Sequence, residues 1–169
     1  MHTYLLDANV FIEAKNNYYG FETFPGFWEF LDIEHTKGHV KSIKLICEEL
    51  IKGNDALADW AKDRKDSGWF FSVDDVQTQQ NLIKITEWVM AQPYKEAAKA
   101  DFMSGGDPWL IAKAMTIGAI VVTLETFDAQ TKKKVKIPNV CRAFSISCID
   151  TFGLLRQMGA TFALQDKKS

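Results

Sequence analysis

Four acidic residues in four separated segments raise the chemical question this chain poses. Asp7 closes the apolar run Thr3-Tyr4-Leu5-Leu6, Glu49 lies in LICEELIKG, Asp107 opens DPWLIAKAMTIG, and Glu125 stands two residues after Thr123 at the end of AIVVT. Carboxylates brought to one place repel each other unless something neutralises them. An all-oxygen cluster suits a hard divalent cation, Mg²⁺ or Mn²⁺, and with no cysteine or histidine among these residues zinc is a poor fit. In a nuclease or phosphatase such a site lets one metal activate water and another stabilise the leaving oxygen of an in-line phosphoryl displacement. No nucleophilic side chain is then needed.

Those acids act together only if the fold gathers them. Residues 3–6 read as a short strand buried on both faces, followed by the helix-compatible stretch Val10 to Lys15 and a loop from Asn16 to Gly20. Pro25 opens a helix that Gly38 stops, Val40 to Ile43 is a second strand, and LICEELIKG is helical up to Gly53. A further amphipathic piece carries Leu57, Trp60 and Ala61, and the aromatic run Trp69 to Val73 is a third strand. Asp74 or Asp75 caps a long helix that ends near Pro93, and a short helix falls within Tyr94 to Met103. Gly105 to Pro108 is a loop, with Pro108 suited to the first helical position of WLIAKAMTIG. Ala119 to Thr123 is the clearest strand, a fifth is expected around Ala143 to Ile146, and IDTFGLLRQMG is the last helix.

Strands alternating with helices, with no repeat and no linker, predict one α/β domain over residues 1–159 and a loosely held tail over 160–169. Its sheet is mainly parallel, with helices on both faces. Ligands of such sheets bind at the carboxyl ends of the strands, where the strand-to-helix loops and the helix N-termini collect. Asp7 and Thr123 end strands there. Asn9 points the same way, Asp107 starts a crossover helix, and Glu49 lies about one turn into the helix after the second strand.

Each residue also has a plainer use. Asp7 could turn the chain with Asn9 or cap the next helix, and Asp107 before Pro108 makes a good cap. Glu49 alone would be a solvated helix face, with Glu48 as its competitor. His35 and His39 have i, i+4 spacing, but Gly38 interrupts them and no other ligand type converges. The aromatics Tyr18, Tyr19, Phe21, Phe24, Phe27 and Trp28 could stack exposed bases or a protein face, although helix packing is the commoner use.

The whole composition narrows the field. Across 169 residues, 22 acids stand against 20 bases, so a protein that coats nucleic acid through bulk positive charge is excluded and any polyanion contact must be local. Lys132, Lys133, Lys134 and Lys136 supply such a patch, or an ordinary solvated loop. No apolar run approaches the roughly 20 residues a membrane span needs, and Asp7 comes too early for a signal peptide, so a cytoplasmic protein with no membrane partner is expected. Cys47, Cys141 and Cys148 form no CxxC pair and read as small apolar residues, reduced in the cell.

The segments Leu5-Leu6-Asp7-Ala8-Asn9, Glu49-Leu50 with Gly53, Gly106-Asp107-Pro108-Trp109-Leu110 through Ala114, and Val121-Val122-Thr123-Leu124-Glu125 occur in the order of the acidic motifs of PIN-domain proteins. Over roughly residues 3 to 150 the chain resembles that family, and within it the small prokaryotic toxin-type ribonucleases. The resemblance implies a single PIN-like domain and an Mg²⁺- or Mn²⁺-dependent endoribonuclease. Its expected partners are an RNA substrate, an antitoxin protein and a second copy of the chain. On this resemblance Asp7, Glu49 and Asp107 match the principal metal-site acids, Asn9 a supporting polar residue, and Thr123 the hydroxyl residue before the last acid. The chain departs from the pattern at Glu125, where many PIN domains have Asp, with Asp128 further along, and in the long insert between Gly53 and Asp107. A PIN-like module without turnover, binding protein or RNA, is the alternative. A haloacid-dehalogenase-type phosphatase usually has a second Asp two residues after its nucleophile, where Asn9 stands here.

Overall fold

The computed structural model describes residues 2–166. Five strands, β1 (Tyr4–Leu6), β2 (Val40–Ile43), β3 (Phe70–Phe71), β4 (Ile120–Val122) and β5 (Cys148–Ile149), form one parallel sheet in the order β3-β2-β1-β4-β5. The helices are α1 (Ala8–Glu13), α2 (Pro25–Thr36), α3 (Lys44–Lys52), α4 (Ala56–Arg64), α5 (Val76–Ala91), α6 (Glu96–Ser104), α7 (Asp107–Ile117), α8 (Ile137–Ala143) and α9 (Thr151–Gln157). This is the α/β architecture expected.

Right-handed crossovers from β1 outward to β2 and β3 put their helices on one face, and those reaching β4 and β5 on the other side of β1 put theirs on the opposite face. The strand order therefore reverses between β1 and β4, and the carboxyl ends of these two strands are where sheets of this kind bind their ligands. Register across that seam pairs Leu5 with Val121 and Leu6 with Val122. The next residues outward, Asp7 and Thr123, are thereby forced side by side.

The two central strands, β1 and β4, are buried along their whole length. Leu5, Leu6, Val121 and Val122 are fully buried, and each contributes roughly 1.5–3 kcal/mol by leaving solvent. Asp75 caps α5 by accepting from the Thr78 amide, and Gly118 ends α7 in the left-handed conformation (φ 68°), which a residue with a Cβ resists. Most of the early aromatics pack inward. Tyr19 stacks on Phe27 at 4.4 Å and Phe21 on Trp28 at 4.1 Å, while Tyr18 stays exposed.

The structure corrects several element boundaries. The first helix begins at Ala8, immediately after Asp7, and widens into a π-helical turn over Ala14–Tyr18 that takes in Asn16 to Tyr18, where a loop was expected. The third strand keeps only Phe70 and Phe71. Residues 137–143, just before and at the start of the expected fifth strand, form α8, on which Ile137, Val140 and Cys141 bury a helical stripe. The fifth strand lies later, at Cys148–Ile149, since Ser145 takes a positive φ of 56° that breaks any strand there. The packed chain runs past the boundary expected at 159, because Phe162 packs edge-on against Phe24 at 5.1 Å. Residues 167–169 of the expected tail lie outside the described residues. Among the described residues no helix is long and apolar enough to cross a membrane.

Candidate functional site

Asp7 follows β1 directly and is only 2% exposed. It holds the N-cap position of α1, yet its side chain makes no capping bond. Instead Oδ2 accepts from the Thr123 hydroxyl at 2.9 Å, across the β1/β4 seam. The same Thr123 Oγ accepts from the Glu125 amide at 3.2 Å, which ties the loop after β4 to the loop after β1.

Asp107 is not a cap either. The N-cap of α7 is Gly106, with Pro at the start of the helix, and the half-buried Asp107 carboxylate sits in the first turn. Glu49, on the exposed side of α3, reaches the same place, and its Oε1 accepts from the Gly106 amide at 3.1 Å. That contact separates Glu49 from its neighbour Glu48. Gly106 permits the approach, because a Cβ there would stand 3.0 Å from Glu49 Oε1. Glu125 completes the group. Its side chain is 10% exposed, its Oε2 accepts from the Ile137 amide at the start of α8 (2.8 Å), and its Oε1 pairs with Lys134 at 3.1 Å.

The four acids feel one another. Burial first, then the charges of Glu125 and Glu49, push the Asp7 carboxyl up to about 6 from an ordinary 3.8, against the opposing Thr123 hydroxyl. Asp107 is pushed up to about 7, by burial first and then by Asp7, Glu125 and Glu49, with Lys134 opposing. Lys134 is held above its ordinary range by its hydrogen bond to Glu125, helped by the charges of Glu125, Asp107 and Asp7. These shifts describe a cleft short of positive charge.

The donor set is chemically that of a hard cation, all carboxylate oxygens with a hydroxyl behind them. The side chains do not form a closed coordination sphere. Among the described residues no three His, Cys, Asp or Glu side chains are grouped so as to hold an ion. Two of the four acids are turned toward backbone amides and Lys134.

The other expected residues fall apart from this group. Asn9 is exposed in the first turn of α1. Lys132 and Lys133 are exposed, and Lys136 is the N-cap of α8. Asp128 serves its own loop, accepting from the Gln130 amide at 2.9 Å. His39 pairs with Glu34 at 2.8 Å while His35 stacks on Trp69, so the two histidines take different partners. Cys47 and Cys141 are buried, Cys148 is half-buried, and all three are free thiols. What the sequence reading missed are the backbone donors, the amides of Gly106 and Ile137, and the singling out of Lys134 from its basic run. Only the Gly-Asp-Pro and Ile-Pro helix starts hinted at those amides.

A parallel α/β sheet with a group of acids at its topological switch point defines the class of this protein. The chain belongs to the family described as Domain of unknown function (DUF4411), whose family model matches residues 4–162. No curated protein matches it.

Proposed function

We propose that the protein is a metal-dependent endoribonuclease of the PIN type, hydrolysing RNA phosphodiester bonds. The observation that carries this reading is the gathering of Asp7, Glu49, Asp107 and Glu125 from four segments at the carboxyl edge of the sheet, with Asp7 held by Thr123 and Glu49 by the Gly106 amide; burial and mutual charge raise Asp7 and Asp107 there. A cation entering among these acids would relieve the mutual repulsion that raises Asp7 and Asp107. Asp7, Asp107, Glu49 and Glu125 would hold Mg²⁺ or Mn²⁺, which supplies Lewis-acid activation of water and of the phosphate. Thr123 orients the Asp7 carboxylate, Gly106 positions Glu49, and the burial of Asp7 keeps bulk water from screening the site. The resemblance to toxin-type ribonucleases extends the proposal to a cytoplasmic enzyme silenced by an antitoxin protein, with a homodimer as its expected assembly.

The test is cleavage of single-stranded and structured RNA by purified protein with Mg²⁺ or Mn²⁺, beside EDTA and Asp7→Asn controls. Cleavage lost in both controls supports the reading. Cleavage that survives both overturns it.

A second reading, a PIN-like module that binds RNA or protein without turnover, draws on the engagement of Glu49 and Glu125 by backbone amides and Lys134. It requires that partner binding survive Asp7→Asn and that calorimetry find no saturable cation site.

A further inference from the structure

We propose that Lys134 is the resident counter-cation of the acidic group, paired with an oxygen of Glu125 that a divalent cation would use, so that metal binding works against its charge. The inference rests on the nuclease reading above and adds to it a built-in limit on metal affinity.

Glu125 Oε2 accepts from the Ile137 amide at 2.8 Å, and Lys134 Nζ sits on Oε1 at 3.1 Å, close enough to Asp107 and Asp7 to feel their charge. A carboxylate oxygen can hold a metal ion and accept a hydrogen bond together, but an ammonium kept on this oxygen repels a divalent cation bound within a few ångströms and weakens its binding. The loop carrying Lys134 is anchored by its backbone rather than by this ion pair. Lys132 O accepts from the Lys95 amide at 2.9 Å, Lys134 O accepts from the Thr131 hydroxyl at 3.0 Å, and the neighbouring Val135 is buried. The Lys134 side chain itself is 56% exposed. A fixed backbone with a free head allows the ammonium to leave Glu125 without unfolding the loop. Once displaced it stays beside the acids, where a compact point charge suits a phosphate oxygen. Of the lysines in this run it is Lys134 that pairs with Glu125, while Lys136 is the N-cap of α8.

The experiment titrates Mn²⁺ alone into the metal-free chain by calorimetry, for wild type, Lys134→Ala, Lys134→Gln, Glu125→Gln and the Lys134→Ala/Glu125→Gln double variant, with thermal melts as folding controls. Lys134→Gln keeps most of the side chain and a donor while removing charge, so it serves if the alanine variant folds poorly. Both neutral variants should bind Mn²⁺ roughly fivefold tighter than wild type. The gain should vanish in the Glu125→Gln background, and single-stranded RNA should be cleaved with lower kcat/KM. Unchanged or weaker Mn²⁺ affinity in both neutral variants overturns the proposal while leaving the nuclease reading in place. Tighter Mn²⁺ binding with no RNA cleavage by any variant supports the counter-cation and sinks the nuclease. Absence of saturable Mn²⁺ binding in every variant sinks both.

Discussion

The Thr123 hydroxyl donates to Asp7 Oδ2 at 2.9 Å, joining two residues 116 positions apart across the one seam where the strand order reverses. Neither residue is free to leave. Each directly follows a strand whose side chains are buried to the last rung, and the Asp7 amide donates to Val122 O while the Thr123 amide donates to Ile149 O, both at 2.9 Å. The position of Asp7 in the cleft is therefore a property of the sheet.

Thr123→Val keeps the branched shape but removes the donor. Stability at pH 7.5 should fall by about 1–2 kcal/mol, since a buried carboxylate and the Glu125 amide both lose a partner. At pH 5, where Asp7 is largely protonated, the loss should shrink. Urea unfolding at the two pH values measures this, and equal losses would show that the hydroxyl does not act through Asp7.

Asp7→Asn should abolish RNA cleavage yet stabilise the metal-free protein. With its folded pKa raised to about 6 from 3.8, Asp7 binds more protons folded than unfolded, so its contribution declines as pH rises through that window and is fully lost above it. Removing the charge should recover roughly 1–3 kcal/mol at pH 7.5. Asp107, raised to about 7, extends the same decline toward neutrality. Burial lowers the His35 pKa, which acts in the opposite sense, but it is common to both proteins. The readout is thus the difference between the two stability curves from pH 5 to 7.5, measured in EDTA.

Millimolar Mn²⁺ should raise the melting temperature of the wild-type protein more at pH 7.5 than at pH 5.5. A ligand bound by the folded state alone stabilises it, and protons compete for Asp7 and Asp107 at the lower pH. Scanning fluorimetry with and without EDTA tests it, and a shift independent of pH would place the ion elsewhere.

Gly106→Ala should separate folding from function. Its φ of −78° suits any residue, and the added Cβ meets Ile46 and Leu45 at ordinary contact distances of 3.5 and 3.6 Å. Only the end of the Glu49 side chain, at 3.0 Å, must move. Stability should change by less than about 1 kcal/mol, while cleavage falls on the order of tenfold. Parallel denaturation and kinetic measurements decide the matter.

Glu125→Asp should lower activity rather than raise it. One methylene fewer cannot keep both the Ile137 amide and Lys134. Hydrogen exchange at Ile137 should speed up, with a stability loss of about 0.5–1.5 kcal/mol. Unchanged exchange would show that the longer side chain is not what holds the start of α8.

The buried strands, the capped long helix and the acidic segments were legible in the linear chain because each is announced locally: an apolar run ending in Asp7 or Thr123, an Asp before a helical stripe, a Gly after one. The stretch from Ile137 to Ile149 was misread because a seven-residue helix and a two-residue strand carry too little local preference to declare themselves, and packing settles both. The acids behave likewise. Their identities and order are written in the sequence, and so is the alternation of strands and helices that sends them to one edge. Which oxygen each acid offers is not, because Glu49 meets the Gly106 amide, Glu125 the Ile137 amide and Lys134, and Asp7 the Thr123 hydroxyl only after the sheet closes. Those partners lie on other segments of the chain, so no local pattern can specify them. The elevation of Asp7 and Asp107 depends on burial and on charges brought close by folding, and only the tertiary structure supplies either.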